Sequence, residues 1–247
     1  MNRGISITVI MPALNEEQNV RKAVADLMDA FYDAAYDWEI VLVDDGSSDG
    51  TGRIVDEIAR QESRVMVIHH TQPCGIGYCF REGIEASRKE VITWLPADGE
   101  NSPRELLKYL PLMEYVDIVI PFVVNKASRP LGRRILSAIY LSIINLTFRT
   151  RFNYTNGNII YRRDVFGVVK PRSNGFLVHA ECLVRAIKAG FTFAEVPVTL
   201  NKRIEGDSKA LLFRSLLSVV REYIAFFLLF YIWGWRNAVR KKRNRSV

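Results

Sequence analysis

The chain is sparing with the residues that staple small domains or build histidine-centred hydrolases. Its 247 residues include three cysteines and three histidines. Cys74, Cys79 and Cys182 are odd in number and lack metal-ligand spacing, which predicts reduced thiols in a cytoplasmic protein. No Ser/His/Asp arrangement can be assembled from so few histidines, and His179 reads as structural. Internal repeats and low-complexity linkers are also missing, and no export signal is expected. The apolar run Ile5–Leu14 is short, β-branched and followed at once by Asn15-Glu16-Glu17, so it reads as a buried strand. The uncharged stretch Tyr223–Trp235 has thirteen residues. At about 1.5 Å each it spans about 20 Å, short of the ~30 Å hydrocarbon core. Acid is absent from Arg236 to Val247, where Arg236, Arg240, Lys241, Lys242, Arg243 and Arg245 supply six of the seven net positive charges. The body of the chain is therefore nearly neutral, and the basicity sits in a tail.

What is present is an alternation of strands and helices. Ile5–Met11, Trp38–Val43, Val65–Ile68, Val91–Leu95 and Val116–Ile120 are apolar, strand-length segments. Between them lie helical segments: one opened by Asn15 with Gln18 as its capping-box partner, one over Thr51–Arg60, one from Ile76 to Ser87, and one begun by Ser102-Pro103-Arg104-Glu105. Continuous apolar strands alternating with helices predict an α/β fold with a mostly parallel sheet covered on both faces. In such sheets ligands bind beyond the carboxyl ends of the strands, here Pro12–Asn15, Asp44–Asp49, Thr71–Gly77 and Pro96–Glu100. All four segments are polar or glycine-rich. Beyond residue 121 follow a basic loop (Ser128–Arg134), an apolar helix (Ile135–Phe148), a turn (Thr155–Asn158), a helix bearing Glu181, a strand (Thr192–Val198), and a long helix over Leu211–Trp235.

The most informative stretch is Val41-Leu42-Val43-Asp44-Asp45-Gly46-Ser47-Ser48-Asp49-Gly50-Thr51, in which a buried strand ends on two carboxylates. Ser48 and Asp49 read as turn and cap residues. Paired acids at a strand end are costly unless used, and carboxylates there accept hydrogen bonds from a nucleobase or ribose.

Val9-Ile10-Met11-Pro12-Ala13-Leu14-Asn15-Glu16-Glu17 followed by Glu39-Ile40-Val41-Leu42-Val43-Asp44-Asp45-Gly46-Ser47 resembles the opening of family 2 glycosyltransferases, in particular their dolichol-phosphate-mannose-synthase-like, polyprenyl-phosphate branch. The resemblance implies a GT-A (Rossmann-like) domain over residues 1–210. Residues 1–121 would form the nucleotide-sugar half and 122–210 the acceptor half, with a membrane-associated amphipathic helix and basic tail over 211–247. It implies that Pro12, Ala13, Glu16, Asp44 and Asp45 line the nucleotide pocket. Thr71–Gly83 resembles the family's Asn-x-Gly-x-Gly segment beside the donor, with Gly75 and Gly77 as its glycine turn.

The family's Asp-x-Asp is Pro96-Ala97-Asp98 here, so Asp98 stands in the metal-binding position beside Ala97, and Glu100 follows as a further oxygen ligand for Mg²⁺ or Mn²⁺. Arg203-Ile204-Glu205-Gly206-Asp207-Ser208-Lys209 resembles the segment that closes over phosphates. Arg129, Arg133 and Arg134 form a cationic cluster before an apolar helix; with Arg203 and Lys209 they are candidates to hold phosphate.

The implied reaction is inverting sugar transfer from a nucleotide-sugar donor, UDP-hexose or GDP-mannose, to a polyprenyl phosphate. It would take place at an anionic membrane surface on the cytoplasmic side, with the C-terminal helix as an interfacial anchor or a homo-oligomer contact. Two alternatives stay open: a glycan or protein-linked acceptor, and a catalytically silent nucleotide-sugar binder. Nucleic acid is not an expected partner, because the helix before the basic tail is aromatic and apolar.

Overall fold

A computed structural model describes residues 4–34, 36–99, 101–125, 131–199 and 213–232, with the side chains of 133 and 213–217 excepted. Seven strands form one sheet in the order β3-β2-β1-β4-β6-β5-β7. The strands are β1 (Ser6–Ala13), β2 (Asp37–Asp44), β3 (Val65–His69), β4 (Val91–Trp94), β5 (Ile118–Val123), β6 (Ile160–Arg162) and β7 (Phe193–Val198). β1 pairs in parallel with β2 and β4, β2 with β3, and β5 with β7. Only β6 runs antiparallel to its neighbours among these strands, with Tyr161 opposite both Ile92 and Ile118. The sheet is thus mostly parallel, as expected.

The continuous apolar runs follow from burial on both faces. Ile7, Val9, Met11, Ile40 and Leu42 pack with α1 (Val20–Ala34) and α2 (Thr51–Gln61) in one cluster. Ile10, Val41 and Val43, on the alternate positions, pack on the other face with α3 (Ile76–Ala86) and α7 (Val178–Ala189). The strand period of two therefore sends successive side chains into two cores, and the few polar residues buried there are hydrogen-bonded: Thr8 donates to Glu39 at 2.6 Å and Thr93 to the Ile159 carbonyl at 3.0 Å. α4 (Pro103–Leu107) joins the first core; α5 (Leu131–Phe148), α6 (Val165–Val168) and α8 (Phe213–Tyr231) join the second. Phe148 anchors α8 through ring contacts with Phe226 at 4.7 Å and Phe230 at 5.2 Å.

Two expected helix starts differ. α1 begins at Val20, not at Asn15. Asn15 has φ 51, outside the helical region, and its side-chain oxygen accepts from the Ser48 amide at 2.8 Å. Glu17 likewise accepts from the Gly50 amide at 2.9 Å. These side chains tie the β1 loop to the β2 loop, so the turn residues are spent on tertiary contacts before the helix starts. α4 does begin at Pro103 after Ser102, but Ser102 makes no side-chain cap bond and the helix ends after five residues. α5 begins at Leu131, four residues before the expected Ile135.

Candidate active site

The chain runs outward from β1 to β2 to β3, then returns to place β4 on the other side of β1. That reversal opens a crevice at the carboxyl ends of β1 and β4, the usual ligand position in such sheets. Pro12 and Ala13 end β1 there, and Ala97 and Asp98 follow β4. The Ala97 amide donates to the Pro12 carbonyl at 3.2 Å, and the Asp45 amide to the Ala13 carbonyl at 2.9 Å. Glu16 stands at the same edge, its amide bonded to Thr51 Oγ1 at 2.8 Å. Asp98 is half-buried. The strand ends therefore gather Pro12, Ala13, Glu16, Asp44, Asp45, Ala97 and Asp98 at one edge of the sheet.

The paired carboxylates are each 5% exposed and have protein partners. Asp45 accepts from the Cys74 amide at 2.8 Å and the Gly75 amide at 3.0 Å, and it pairs with His70 Nδ1 at 2.7 Å. The far nitrogen of His70 lies 2.5 Å from Glu82. Asp44 accepts from the Ser47 amide at 3.1 Å and pairs with His69 Nδ1 at 3.0 Å; Nε2 of that ring pairs with Asp56. Burial works against a charged His70, yet the carboxylates of Asp45 and Glu82 lift its pKa above the usual value. The pKa of His69 is lifted chiefly by Asp56 and also by Asp44. Two acids in adjacent positions are thus compensated by two histidines in adjacent positions, the last residue of the neighbouring strand and the one after it. The sequence reading missed His69 and His70. Their register opposite Asp44, fixed by the β2–β3 pairing, could not be read from chain order.

Asp45 also sets the glycine turn. Gly75 has φ +99, a conformation that L side chains rarely adopt. A Cβ on Gly77 would stand 2.4 Å from the Ser173 carbonyl oxygen. The Gly77 amide donates to the Asn174 carbonyl at 2.6 Å, so the turn is bound to Asp45 on one side and to loop 172–175 on the other.

The mixed cluster beside the glycine turn does not suit Mg²⁺ or Mn²⁺. Ligand atoms of Asp45, His70 and Cys79 lie within 4.8 Å of one another. That oxygen, nitrogen and sulfur set suits zinc rather than Mg²⁺ or Mn²⁺. Burial and the Asp45 charge also hold the Cys79 thiol well above its usual pKa, so the thiolate is disfavoured. Asp98 offers a hard carboxylate beside the crevice, the type that takes Mg²⁺ or Mn²⁺ together with phosphate oxygens.

Arg134 is exposed near the start of α5, and the Arg133 backbone is in the same helix. Glu100, Arg129, Arg203, Lys209 and the basic tail lie outside the described residues. Glu181 is an internal tie: it accepts from Ser173 Oγ at 2.7 Å and pairs with Arg185 at 2.7 Å. His179, expected to be structural, is 1% exposed, with its ring centroid 4.0 Å from that of Trp94 and the two rings tilted by 32°. Asn158 donates to the Trp94 carbonyl at 2.8 Å, which fastens the expected 155–158 turn to the end of β4. The three cysteines are free thiols.

Comparison with known proteins agrees with this architecture. Residues 8–169 match the model of glycosyl transferase family 2. Polyprenol monophosphomannose synthase of Mycolicibacterium smegmatis is 30% identical over 217 residues, covering 81% of this chain and 79% of that protein. Undecaprenyl-phosphate mannosyltransferase of Micrococcus luteus is 28% identical over 220 residues, covering 82% and 86%. A crystal structure of glucosyl-3-phosphoglycerate synthase from Mycobacterium tuberculosis, in complex with Mg²⁺ and UDP, is similar in fold, with a TM-score of 0.66 at 19% identity over 91% of this chain and 79% of that one. The parallel sheet, the carboxylates at its carboxyl edge and the match over most of the chain lead to one conclusion: the chain is a glycosyltransferase that belongs to glycosyl transferase family 2.

Proposed function

We propose that the protein transfers a hexose from a nucleotide sugar, UDP-hexose or GDP-mannose, to a polyprenyl phosphate at the cytoplasmic surface of a membrane. The observation that carries the acceptor assignment is an apolar surface next to the catalytic fold. On α5, Leu131, Ile135, Ile139, Ile143 and Leu146 are exposed, Leu146 to 84%. On α8, Val220, Ile224, Phe227, Leu228 and Tyr231 are exposed at helical spacing, while Phe226 and Phe230 turn inward. An amphipathic helix with such a stripe is suited to a bilayer interface. No helix among the described residues is long and apolar enough to cross a membrane. The cationic tail after α8 suits anionic headgroups, so the occupant of the stripe is a lipid surface. The names of the mycobacterial and micrococcal relatives, both polyprenyl-phosphate enzymes, support the same acceptor.

The chemistry needs little from the protein beyond positioning. A phosphate monoester has a second pKa near 6 and is largely ionised at neutral pH, so no general base is required. Its oxygen attacks the anomeric carbon, the bond to the diphosphate breaks on the opposite face, and the leaving group departs with the electron pair, inverting the centre. Pro12, Ala13, Glu16, Asp44, Asp45 and the Gly75–Gly77 turn would hold the nucleoside. Asp98, with Glu100, would hold Mg²⁺ or Mn²⁺, which neutralises charge on the departing diphosphate. Arg129, Arg133, Arg134, Arg203 and Lys209 are proposed to fix the lipid phosphate in line.

The test is transfer of labelled sugar from a panel of nucleotide sugars to undecaprenyl or dolichyl phosphate with Mg²⁺ or Mn²⁺. Label should enter the lipid phase, and Asp98→Ala should lower the rate by at least about a hundredfold without altering the unfolding transition. Full activity of Asp98→Ala would remove the metal role. Nucleotide binding without lipid labelling would favour a glycan or protein-linked acceptor.

A further inference from the structure

Loop 172–175 is held by three helices at once. From α7, Glu181 accepts from the amides of Arg172 at 3.0 Å and Ser173 at 2.9 Å. From α3, the Arg81 guanidinium donates to the carbonyls of Arg172 at 3.1 Å and Ser173 at 2.8 Å, and to Asn174 Oδ1 at 2.7 Å. From α8, one oxygen of Glu222 accepts from the amides of Asn174 at 3.0 Å and Gly175 at 2.6 Å. The loop then passes the constraint on: the Asn174 carbonyl accepts from Gly77 at 2.6 Å and Tyr78 at 3.3 Å, while Gly75 donates to Asp45. Two hydrogen-bonded steps therefore separate Glu222 from the glycine turn, and one more reaches Asp45.

Glu222 is an unusual occupant of its helix. Its neighbours Val220 and Ile224 are exposed and apolar, whereas its carboxylate points inward and lines a cavity of 410 Å³ with Arg172, Arg221 and Phe226. Burial raises its pKa, so holding a carboxylate there is costly unless its bonds are needed. A helix that only covered the core would be served better by an apolar residue at this position.

We infer that Glu222 is a positioning residue through which α8 sets the donor-side glycine turn. Together with Glu181 and Arg81, α8 fixes where loop 172–175 lies, and the loop's Asn174 carbonyl aligns the first turn of α3 under the donor. This inference rests on reading Gly75–Gly77 as part of the donor pocket. Its physical core, the linkage from α8 to Gly77, is tested without any donor.

Amide hydrogen exchange in the full chain is the measurement, comparing wild type with Glu222→Ala and Glu222→Gln. Glutamine keeps an oxygen acceptor for both amides. Glu222→Ala should speed exchange by about tenfold at Asn174 and Gly175 and also at Gly77 and Tyr78, with Glu222→Gln restoring most of the protection. UDP or GDP titration should show weaker nucleotide binding for Glu222→Ala and recovery for Glu222→Gln. Vesicles of phosphatidylcholine and phosphatidylglycerol should slow exchange at Gly77 and Tyr78 in wild type. Acceleration confined to Asn174 and Gly175, with Gly77 and Tyr78 unchanged, would overturn the inference. If Glu222→Ala fails to fold, the vesicle experiment on wild type carries the decision: slower exchange at Asn174 and Gly175 with no change at Gly77 and Tyr78 would overturn the inference. Linked exchange at Gly77 with unchanged nucleotide affinity would uphold the linkage and count against the donor-pocket reading.

Discussion

His179 offers a quantitative check on the packing behind the active-site edge. It lies in the first turn of α7 between Trp94, 4.0 Å away, and Phe80, 4.9 Å away, with neither ring nitrogen hydrogen-bonded. Burial alone pushes its pKa down to about 3 from an ordinary 6.5. A depressed folded-state pKa means that the unfolded chain binds the proton more readily. The stability contributed by neutral His179 is thus fully present above pH 6.5 and is lost as pH falls from there toward 3. The loss is about 1.4 kcal/mol per pH unit, or about 2 kcal/mol by pH 5. His69 and His70 act in the opposite direction, since their raised pKa values favour folding below the unfolded value and lose that benefit as pH rises. They are common to both proteins in the comparison and cancel. Urea unfolding of wild type and His179→Phe at pH 7.5 and pH 5.0 isolates the effect, because phenylalanine keeps the aromatic stack and removes the proton site. Wild type should lose about 2 kcal/mol relative to the variant between the two pH values. Parallel profiles, differing by less than about 0.5 kcal/mol, would mean that water or an acceptor reaches the ring and that the Trp94–His179–Phe80 packing is wrong.

Gly77→Ala should cost about 1–3 kcal/mol in denaturant unfolding and weaken nucleotide binding, because its Cβ would meet the Ser173 oxygen at 2.4 Å; a neutral outcome would disprove the close approach. Asp45→Asn should lower the pKa of His70 in an NMR titration of the imidazole signals, since Asp45 is one of two carboxylates that raise it; an unmoved titration would separate the pair. Ile139→Lys combined with Ile224→Lys should reduce co-flotation with anionic vesicles by at least about tenfold, given about 1.5–3 kcal/mol for each apolar side chain withdrawn from lipid. Unchanged flotation would assign the exposed stripe to another use.

The sequence alone determined the element order, because parallel strands buried on both faces are mostly apolar and that demand writes continuous runs such as Val9–Met11 and Ile40–Val43 into the chain. It also determined which segments end at the carboxyl edge, since the first four strands alternate with helices and their loops fall on one side. What it did not determine was whom the polar side chains would meet. Asn15 looked like a helix-opening residue, yet its side-chain oxygen serves the Ser48 amide, as Glu17 serves the Gly50 amide, across about thirty positions of chain. β6 is three residues long, too short for a periodic signal, and exists because β4 and β5 both offer it an edge. The pairing of Asp44 and Asp45 with His69 and His70, and the reach of Glu222 from α8 to loop 172–175, depend on register and helix placement. Local periodicity is carried by neighbouring residues; compensation of buried charge is settled only when distant segments come within hydrogen-bonding distance.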